Sequence, residues 1–252
     1  MVKYFDINEP GYSVKCKLFC ENARDIKSVV VFMHGFGGHK DNKAAEHFAE
    51  TALSKWKKLG ILVFDWPCHG KDVRKKLTLE DCDTYLSMVL DYVKKELKTE
   101  DIYAYGTSFG GYLALRYIHK FGNPFVRVAL RCPAISFNEI MWKRIVTPEN
   151  RALLEKGKDV MAGFDRKIMI DMPFLEAIKA DDIRNWDYMD YADDILILHG
   201  TKDELVPIED SRAFAENNVI ELIEIEGADH RFQELEKMKL AHSHMIKFYQ
   251  GV

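Results

Sequence analysis

Short, almost uninterrupted apolar runs recur along the chain, and each ends at a glycine or a polar turn. The clearest four are VVVFMHG at 29–35, GILVFDW at 60–66, DIYAYG at 101–106 and DILILHG at 194–200. Continuous rather than alternating apolarity is typical of strands that are covered on both faces, as in a parallel sheet. These runs therefore predict the centre of a buried, mostly parallel sheet.

Weaker strand signals extend this sheet on both sides. VRVAL at 126–130 and VIELIEI at 219–225 are further candidate strands. The alternating segment YSVKCKLF, within the first twenty residues, predicts an antiparallel hairpin at one edge. We therefore expect a sheet of about eight strands.

Amphipathic helical patterns lie between the apolar runs. They predict helices over 44–60, with Gly60 just beyond the last turn, and over 79–97, 112–121 and 233–249. Strands and helices that alternate regularly predict an α/β fold with helices on both faces of the sheet.

The regular alternation stops over residues 134–190. This stretch is rich in methionine and aromatic residues, carries charges throughout and shows no buried-strand run. We interpret it as a small cap inserted into one domain, whose core is formed by residues 1–133 and 191–252.

One glycine-flanked serine stands where a predicted strand meets a predicted helix. The segment Gly106-Thr107-Ser108-Phe109-Gly110 has the Gly-x-Ser-x-Gly pattern of a nucleophile elbow, which projects a serine oxygen from a strained turn. A side chain at either flanking glycine would collide with neighbouring backbone. Ser108 is therefore the candidate nucleophile.

A serine nucleophile needs a base, and the base needs an acid that orients it. His230 lies in a loop after the last predicted strand, from which it can reach the carboxyl edge of the sheet. Asp203 follows the preceding strand and is the candidate acid. Glu204 is its nearest competitor, whereas Asp229 is interpreted as a loop residue beside the base.

A glycine-rich turn, His34-Gly35-Phe36-Gly37-Gly38, follows the first buried strand. Such a turn exposes backbone N–H groups that can stabilise an oxyanion, and we expect Phe36 to supply one donor and Phe109 the other. A phosphate-binding loop is the alternative, but neither the third glycine of a dinucleotide fingerprint nor a Gly-Lys-Ser/Thr sequence follows.

Composition narrows the range of partners. The chain has 252 residues, with 36 Lys plus Arg against 40 Asp plus Glu, for a net charge of −4. No basic footprint indicates nucleic acid or an anionic membrane surface, and a small, uncharged or weakly charged ester is the expected substrate. Five scattered cysteines suit reduced thiols, and no His-Glu-x-x-His or paired-cysteine pattern predicts a metal site.

Taken together, these motifs resemble the α/β-hydrolase superfamily over nearly the whole chain outside the predicted cap. The order Ser108, Asp203, His230 is that superfamily's order, and the Gly-x-x-Asp-x-x-Val-Pro and Gly-Ala-Asp-His segments look like its acid and base loops. The short cap and the loop Asp65–Gly70 are similar to small bacterial carboxylesterases of the cinnamoyl and feruloyl esterase type. One departure is that Pro67 and Cys68 precede the loop histidine, where relatives commonly have Asp-x-x-Gly-His-Gly.

The resemblance implies an α/β-hydrolase fold and a serine esterase that needs no cofactor. We expect it in the cytoplasm, because Asp6, Glu9 and Pro10 stand where a signal peptide would have a long apolar segment. Its substrate would be a small-molecule ester, either a small aromatic ester such as a cinnamoyl or feruloyl ester or a short acyl ester, with water as the second reactant. A thioesterase and a lipase for monoacylglycerols or lysophospholipids remain alternatives, and a serine peptidase or a non-catalytic ligand-binding module is less favoured. An edge strand near the C-terminal helix would allow a homodimer.

Overall fold

An eight-stranded sheet runs through the middle of the molecule, and the computed structural model describes all of residues 1–252. The sheet has the order β1-β2-β4-β3-β5-β6-β9-β10. Pairing is antiparallel from β1 to β2 and from β2 to β4, and parallel from β4 to β10. This arrangement confirms the predicted mostly parallel sheet with its edge hairpin. The strands, including two that lie outside this sheet, are β1 (Val2–Glu9), β2 (Tyr12–Cys20), β3 (Ser28–Met33), β4 (Leu59–Phe64), β5 (Asp101–Thr107), β6 (Arg127–Arg131), β7 (Val160–Ala162), β8 (Ile168–Ile170), β9 (Ile195–Gly200) and β10 (Glu221–Ile225).

Eight α-helices connect and cover the strands. They are α1 (Lys43–Lys55), α2 (Leu79–Lys95), α3 (Phe109–Phe121), α4 (Phe137–Ile140), α5 (Pro148–Leu154), α6 (Met172–Ala180), α7 (Ile208–Asn218) and α8 (Leu235–Gln250). Buried residues of α1 and α8 form one apolar cluster on one face of the sheet, while those of α2, α3 and α7 belong to a second cluster on the other face. None of these helices combines the length and the apolar composition that crossing a bilayer requires.

Strand β3 shows why the central strands lack alternation. All six of its residues are buried, with Val29 and Val31 in the cluster on the α2 and α3 face and Val30 and Phe32 in the cluster on the α1 and α8 face. Full burial of one such side chain contributes about 1.5–3 kcal/mol. The apolar pattern therefore comes from burial on both faces of the sheet.

The predicted end of the first helix is wrong. Helix α1 ends at Lys55 with Trp56 as its C-cap, and Gly60 lies inside β4 rather than just beyond the helix. A Cβ atom on Gly60 would lie 3.1 Å from the side chain of Ile26 and 3.3 Å from that of Leu18. The glycine therefore serves close packing within the sheet.

The segment between β6 and β9 contains structure that the sequence pattern did not predict. Strands β7 and β8 pair as a short antiparallel hairpin, each with a central exposed residue between two buried ones, so no continuous apolar run marks them. Helices α4 to α6 and a π-helical turn at Met141–Ile145 fill the rest. Phe137, Met141 and Phe174 of this segment belong to the same apolar cluster as α2 and α3. The division into a cap and two core parts stays a prediction.

Candidate active site

Ser108 occupies the sharp turn from β5 to α3. Its backbone has φ 51° and ψ −117°, a conformation that favours glycine. Backbone hydrogen bonds hold it there, because the Ser108 N–H donates to the Arg131 carbonyl at 3.1 Å and its carbonyl accepts from the N–H groups of Gly111, Tyr112 and Ala134. The strained turn is thus fixed by the sheet on one side and by the helix on the other.

The two glycines of the serine motif make the turn sterically possible. A Cβ atom on Gly110 would lie 2.1 Å from the Met33 carbonyl oxygen, and one on Gly106 would lie 2.9 Å from the Cα atom of Gly111. Helix α3 therefore starts in direct contact with the end of β3. The predicted steric reason for both glycines agrees with this packing.

Asp203 and His230 come together although 27 residues separate them in sequence. The Nδ1 atom of His230 lies 2.7 Å from Oδ2 of Asp203, whose side chain is fully buried in the turn after β9. Oδ1 of Asp203 accepts hydrogen bonds from the N–H groups of Leu205 at 2.9 Å and Val206 at 2.8 Å. Since the carboxylate can only accept, Nδ1 of His230 is assigned the proton, which leaves Nε2 free as a base.

A second histidine contacts the same carboxylate. The Nε2 atom of His199, at the end of β9, lies 3.2 Å from Oδ2 of Asp203 and 3.1 Å from the Val206 carbonyl oxygen. Its Nδ1 atom lies 2.8 Å from the Ser211 hydroxyl. Sequence reasoning missed this contact, whose only sequence signal is the four-residue spacing between His199 and Asp203.

These contacts keep Asp203 ionised. Burial alone would raise the pKa of Asp203, but hydrogen bonds from His199 and His230 hold the pKa well below its usual range. A charged acid beside His230 fixes the orientation of the imidazole ring and stabilises any positive charge that forms on it.

Ser108 and His230 line one cleft of about 710 Å³ together with Phe36. Ser108 is partly exposed, and 16% of the His230 side chain is accessible to solvent. The structure therefore presents both groups to the same space. Glu204, the alternative acid, makes no hydrogen bond to His230, so the geometry favours Asp203.

One predicted oxyanion donor, Phe109, directly follows Ser108, and the other, Phe36, lies in a loop that contacts Ser108. Phe109 is the first residue of α3, where an N–H group has no acceptor within the helix. A Cβ atom on Gly35 would lie 3.2 Å from the Cβ atom of Ser108, so the loop that carries Phe36 passes directly over the serine. The Phe36 and Phe109 rings pack edge to face with centroids 5.8 Å apart.

His34 and His69 contact the backbone of this loop and of the segment that follows β4. Burial lowers the pKa of each to about 3, so both rings are neutral. His34 places Nδ1 2.9 Å from the Gly35 carbonyl oxygen and Nε2 3.3 Å from the N–H of Trp66, while His69 contacts the Pro67 carbonyl oxygen at 2.7 Å. These backbone contacts give both histidines a structural role.

Cys132 lies next to Asp203 and His230. Its sulfur, an Asp203 carboxylate oxygen and a ring nitrogen of His230 all lie within 4.8 Å of one another. Burial and the nearby Asp203 raise the pKa of the Cys132 thiol well above its usual value. A protonated thiol is a poor metal ligand, and Asp203 and His230 are already hydrogen-bonded to each other.

Comparison with protein families gives one match. Residues 30–239 match the model of the Alpha/beta hydrolase family, a range that includes Ser108, Asp203 and His230. No curated protein sequence matches the chain significantly.

Solved structures share the fold at low sequence identity. Est1E from Butyrivibrio proteoclasticus, solved with ferulic acid bound, is 23% identical with a TM-score of 0.77, over 96% of this chain and 98% of that one. A putative hydrolase from Agrobacterium vitis S4 is 18% identical with a TM-score of 0.78, over 99% and 98%. A monoacylglycerol lipase from Paleococcus ferrophilus is 20% identical with a TM-score of 0.66, over 94% and 98%. At these identities the similarity concerns the fold.

Proposed function

The chain belongs to the alpha/beta hydrolase family, and from this premise we propose that it is a serine hydrolase that cleaves carboxylic esters. The observation that carries the proposal is the 2.7 Å hydrogen bond between the buried Asp203 carboxylate and His230, which lines the same cleft as the strained serine Ser108. A base oriented by an ionised acid beside a projected hydroxyl is what acyl transfer to serine requires.

Acylation uses the Ser108 hydroxyl, the His230 imidazole and two backbone N–H groups. The Ser108 oxygen forms a bond to the acyl carbon while Nε2 of His230 takes the hydroxyl proton. The charge on the carbonyl oxygen is stabilised by the N–H groups of Phe36 and Phe109. The bond to the alcohol oxygen then breaks, and the alcohol leaves with the proton that His230 had taken.

Deacylation repeats the sequence with water. His230 takes a proton from water as its oxygen attacks the acyl-enzyme carbonyl, and the Ser108 oxygen leaves with that proton to release the free acid. Asp203 keeps its negative charge throughout and stabilises the imidazolium that forms twice in each cycle.

Aromatic side chains favour a small aromatic acyl group. Phe36 and Phe137 line the cleft with ring centroids 6.2 Å apart, and Phe109 packs 4.8 Å from Phe137. A planar phenylpropenoyl group can stack against such a wall. Est1E, which was solved with ferulic acid, supports this class. The monoacylglycerol lipase of similar fold supports an acylglycerol as the second candidate substrate.

The test of the hydrolase is loss of the nucleophile. Ser108→Ala should lower kcat/KM for p-nitrophenyl butyrate by at least about a thousandfold and abolish labelling by a fluorophosphonate. Ser54→Ala removes an exposed hydroxyl of α1 and is the matched control, with both readouts unchanged. Labelling that persists in Ser108→Ala would refute the proposal.

Substrate class is tested on the unmodified protein. We expect methyl ferulate to have a higher kcat/KM than a medium-chain monoacylglycerol, and both to exceed a matched amide. A thioester that outperforms its matched oxygen ester would instead identify a thioesterase.

We also propose a cytoplasmic location. All five cysteines are free thiols, which suits a reducing compartment. Fractionation of cells that express the native gene is the test, and enzyme found in a secreted or periplasmic fraction would contradict it.

A further inference from the structure

The cleft that holds Ser108 is positively charged, although the whole chain has a net charge of −4. Its lining includes four cationic side chains and a single carboxylate, Asp165, which is paired with Arg231 at 2.8 Å. No carboxylate lies within 4.0 Å of the remaining three cations, which are Lys43, Arg131 and Arg166. The field at the cleft therefore has the opposite sign to the net charge of the protein.

Arg131 is the buried member of this set. It is the last residue of β6 and is only 7% exposed. Its Nη1 atom lies 3.1 Å from the Met238 sulfur, a weak acceptor, and its guanidinium lies 5.4 Å from the Phe232 ring centroid. Its Nε atom has no hydrogen-bond partner. A guanidinium is always ionised, so this charge is buried without a counter-ion.

Neighbouring polar groups do not neutralise Arg131. Burial raises the pKa of Tyr105, so its phenol carries no negative charge even beside the cation. Burial and the charge of Arg131 lower the pKa of His242 to about 3, so the imidazole is neutral. The site is thus charged and desolvated, and the neutral hydroxyl of Tyr105 beside the guanidinium does not balance its charge.

The N-terminus of α1 lines the same cleft. Asn42 caps the helix by accepting a hydrogen bond from the N–H of Ala45, while the first N–H groups of a helix have no acceptor inside it. The helix dipole adds partial positive charge at this end. The backbone of Arg131 is adjacent to the nucleophile, since its carbonyl oxygen accepts the hydrogen bond from the Ser108 N–H, and its side chain lines the same cleft.

We propose that Arg131 binds a carboxylate of the substrate, so that the preferred esters carry a second, anionic end. The inference rests on the ester hydrolysis proposed above and names its substrate class. A guanidinium offers parallel N–H donors that match the two oxygens of a carboxylate. One buried positive charge balances one carboxylate, and the exposed Lys43 and Arg166 attract the anion to the cleft mouth.

The test compares esters that differ only by a carboxylate in place of a methyl group. On the acyl side, p-nitrophenyl hydrogen glutarate is compared with p-nitrophenyl pentanoate. On the alcohol side, m-acetoxybenzoate is compared with m-tolyl acetate. We expect kcat/KM to favour the carboxylate by at least about tenfold in one of the two pairs, mainly through KM.

The variant Arg131→Met keeps an unbranched apolar stem and removes the charged guanidinium. It should lower the preference to about one or below, because kcat/KM falls more for the carboxylate ester of each pair than for the neutral one. Arg127→Met is the matched control, because Arg127 lies on the same strand and packs over an aromatic ring, Phe248, outside the cleft. Its preference should be unchanged. A neutral ester favoured in both pairs, or a preference that survives Arg131→Met, would overturn the proposal.

Thermal unfolding separates a binding role from a structural one. An arginine kept for substrate should be costly to the free protein, so Arg131→Met should raise Tm, whereas loss of a structural arginine would lower it. If Arg131→Met fails to fold, Arg131→Lys is measured in its place, because lysine keeps the charge but not the paired donors. A folded Arg131→Lys protein with a reduced carboxylate preference would support the proposal. Without that result Arg131 has a structural role and the proposal is overturned.

A binding measurement keeps this inference distinct from the hydrolase proposal. In Ser108→Ala, which cannot form an acyl-enzyme, sodium glutarate or benzoate should raise Tm relative to sodium chloride of the same ionic strength, and the added change Arg131→Met should abolish the shift. A shift with inorganic phosphate but not with carboxylates would overturn the carboxylate assignment. If the unmodified protein hydrolyses no ester but the Tm shift is still observed, the hydrolase proposal is refuted and the anion-binding site stands.

Discussion

The Nε2 atom of His199 lies 3.2 Å from the Oδ2 atom of Asp203, and both side chains are fully buried. The same oxygen accepts the hydrogen bond from His230 at 2.7 Å. His199 is itself oriented by the Ser211 hydroxyl at 2.8 Å. A buried chain of hydrogen bonds therefore positions the acid that orients the base.

This contact predicts that His199 acts through Asp203. His199→Ala should lower kcat by roughly tenfold and leave KM within about twofold, because a hydrogen bond to a buried charge contributes about 1.5–3 kcal/mol and other donors to Asp203 remain. His199→Gln, whose amide can still donate, should recover most of the activity. An unchanged kcat in a folded His199→Ala protein would contradict the positioning role.

The strained backbone at Ser108 predicts that the conformation of this turn lowers the free energy of unfolding. With φ 51° and ψ −117°, Ser108→Gly should raise the free energy of unfolding by about 1 kcal/mol or more relative to Ser108→Ala, because glycine relieves the strain and alanine does not. Both variants lack the hydroxyl, so the comparison isolates the backbone. Urea denaturation measures the difference, and equal stability would mean that the turn is unstrained.

Buried neutral histidines predict acid sensitivity. Burial lowers the pKa of His34, His69 and His242 to about 3, against 6.5 for an exposed histidine. Between these values the unfolded chain binds more protons, so the free energy of unfolding is lost as pH falls below 6.5. Each histidine should cost roughly 2 kcal/mol by about pH 5. Asp203, with its lowered pKa, adds to this loss below its usual value of 3.8.

Guanidinium unfolding between about pH 7 and pH 5 measures this loss. His242→Gln should make the pH dependence shallower by about one proton, because one buried imidazole is removed. The same slope in the variant and in the unmodified protein would show that His242 does not take part.

Burial also predicts that the cysteine thiols have low chemical reactivity. It raises the pKa of Cys68 to about 12, and those of Cys82 and Cys132 well above their usual value. The thiolate is the reactive form, so the native protein should react slowly with Ellman's reagent. All five thiols should react only in denaturant. Rapid modification of Cys132 with loss of activity would contradict this prediction.

Much of this molecule follows from local sequence patterns. Buried apolar runs predicted the central strands because each residue of a strand such as β3 is covered on one face or the other. The glycine-flanked Ser108 predicted a tight turn because glycine alone tolerates such close backbone contact. The end of α1 was misplaced because Gly60 signals a helix end locally, whereas packing against Ile26 places it in a strand.

Tertiary structure decided which side chains share a site. Apart from the four-residue spacing of His199 and Asp203, no sequence motif marked the contacts of His199, Cys132 and Arg131. Each lies at or just after the end of a strand whose neighbours are set by sheet order. Net charge likewise predicted a neutral or weakly charged ester, while the fold gathers unpaired cations around one cleft. Local patterns record whether a residue is buried and how the chain turns. Contacts between distant residues, and the field they create, depend on how the strands are ordered and where the helices pack.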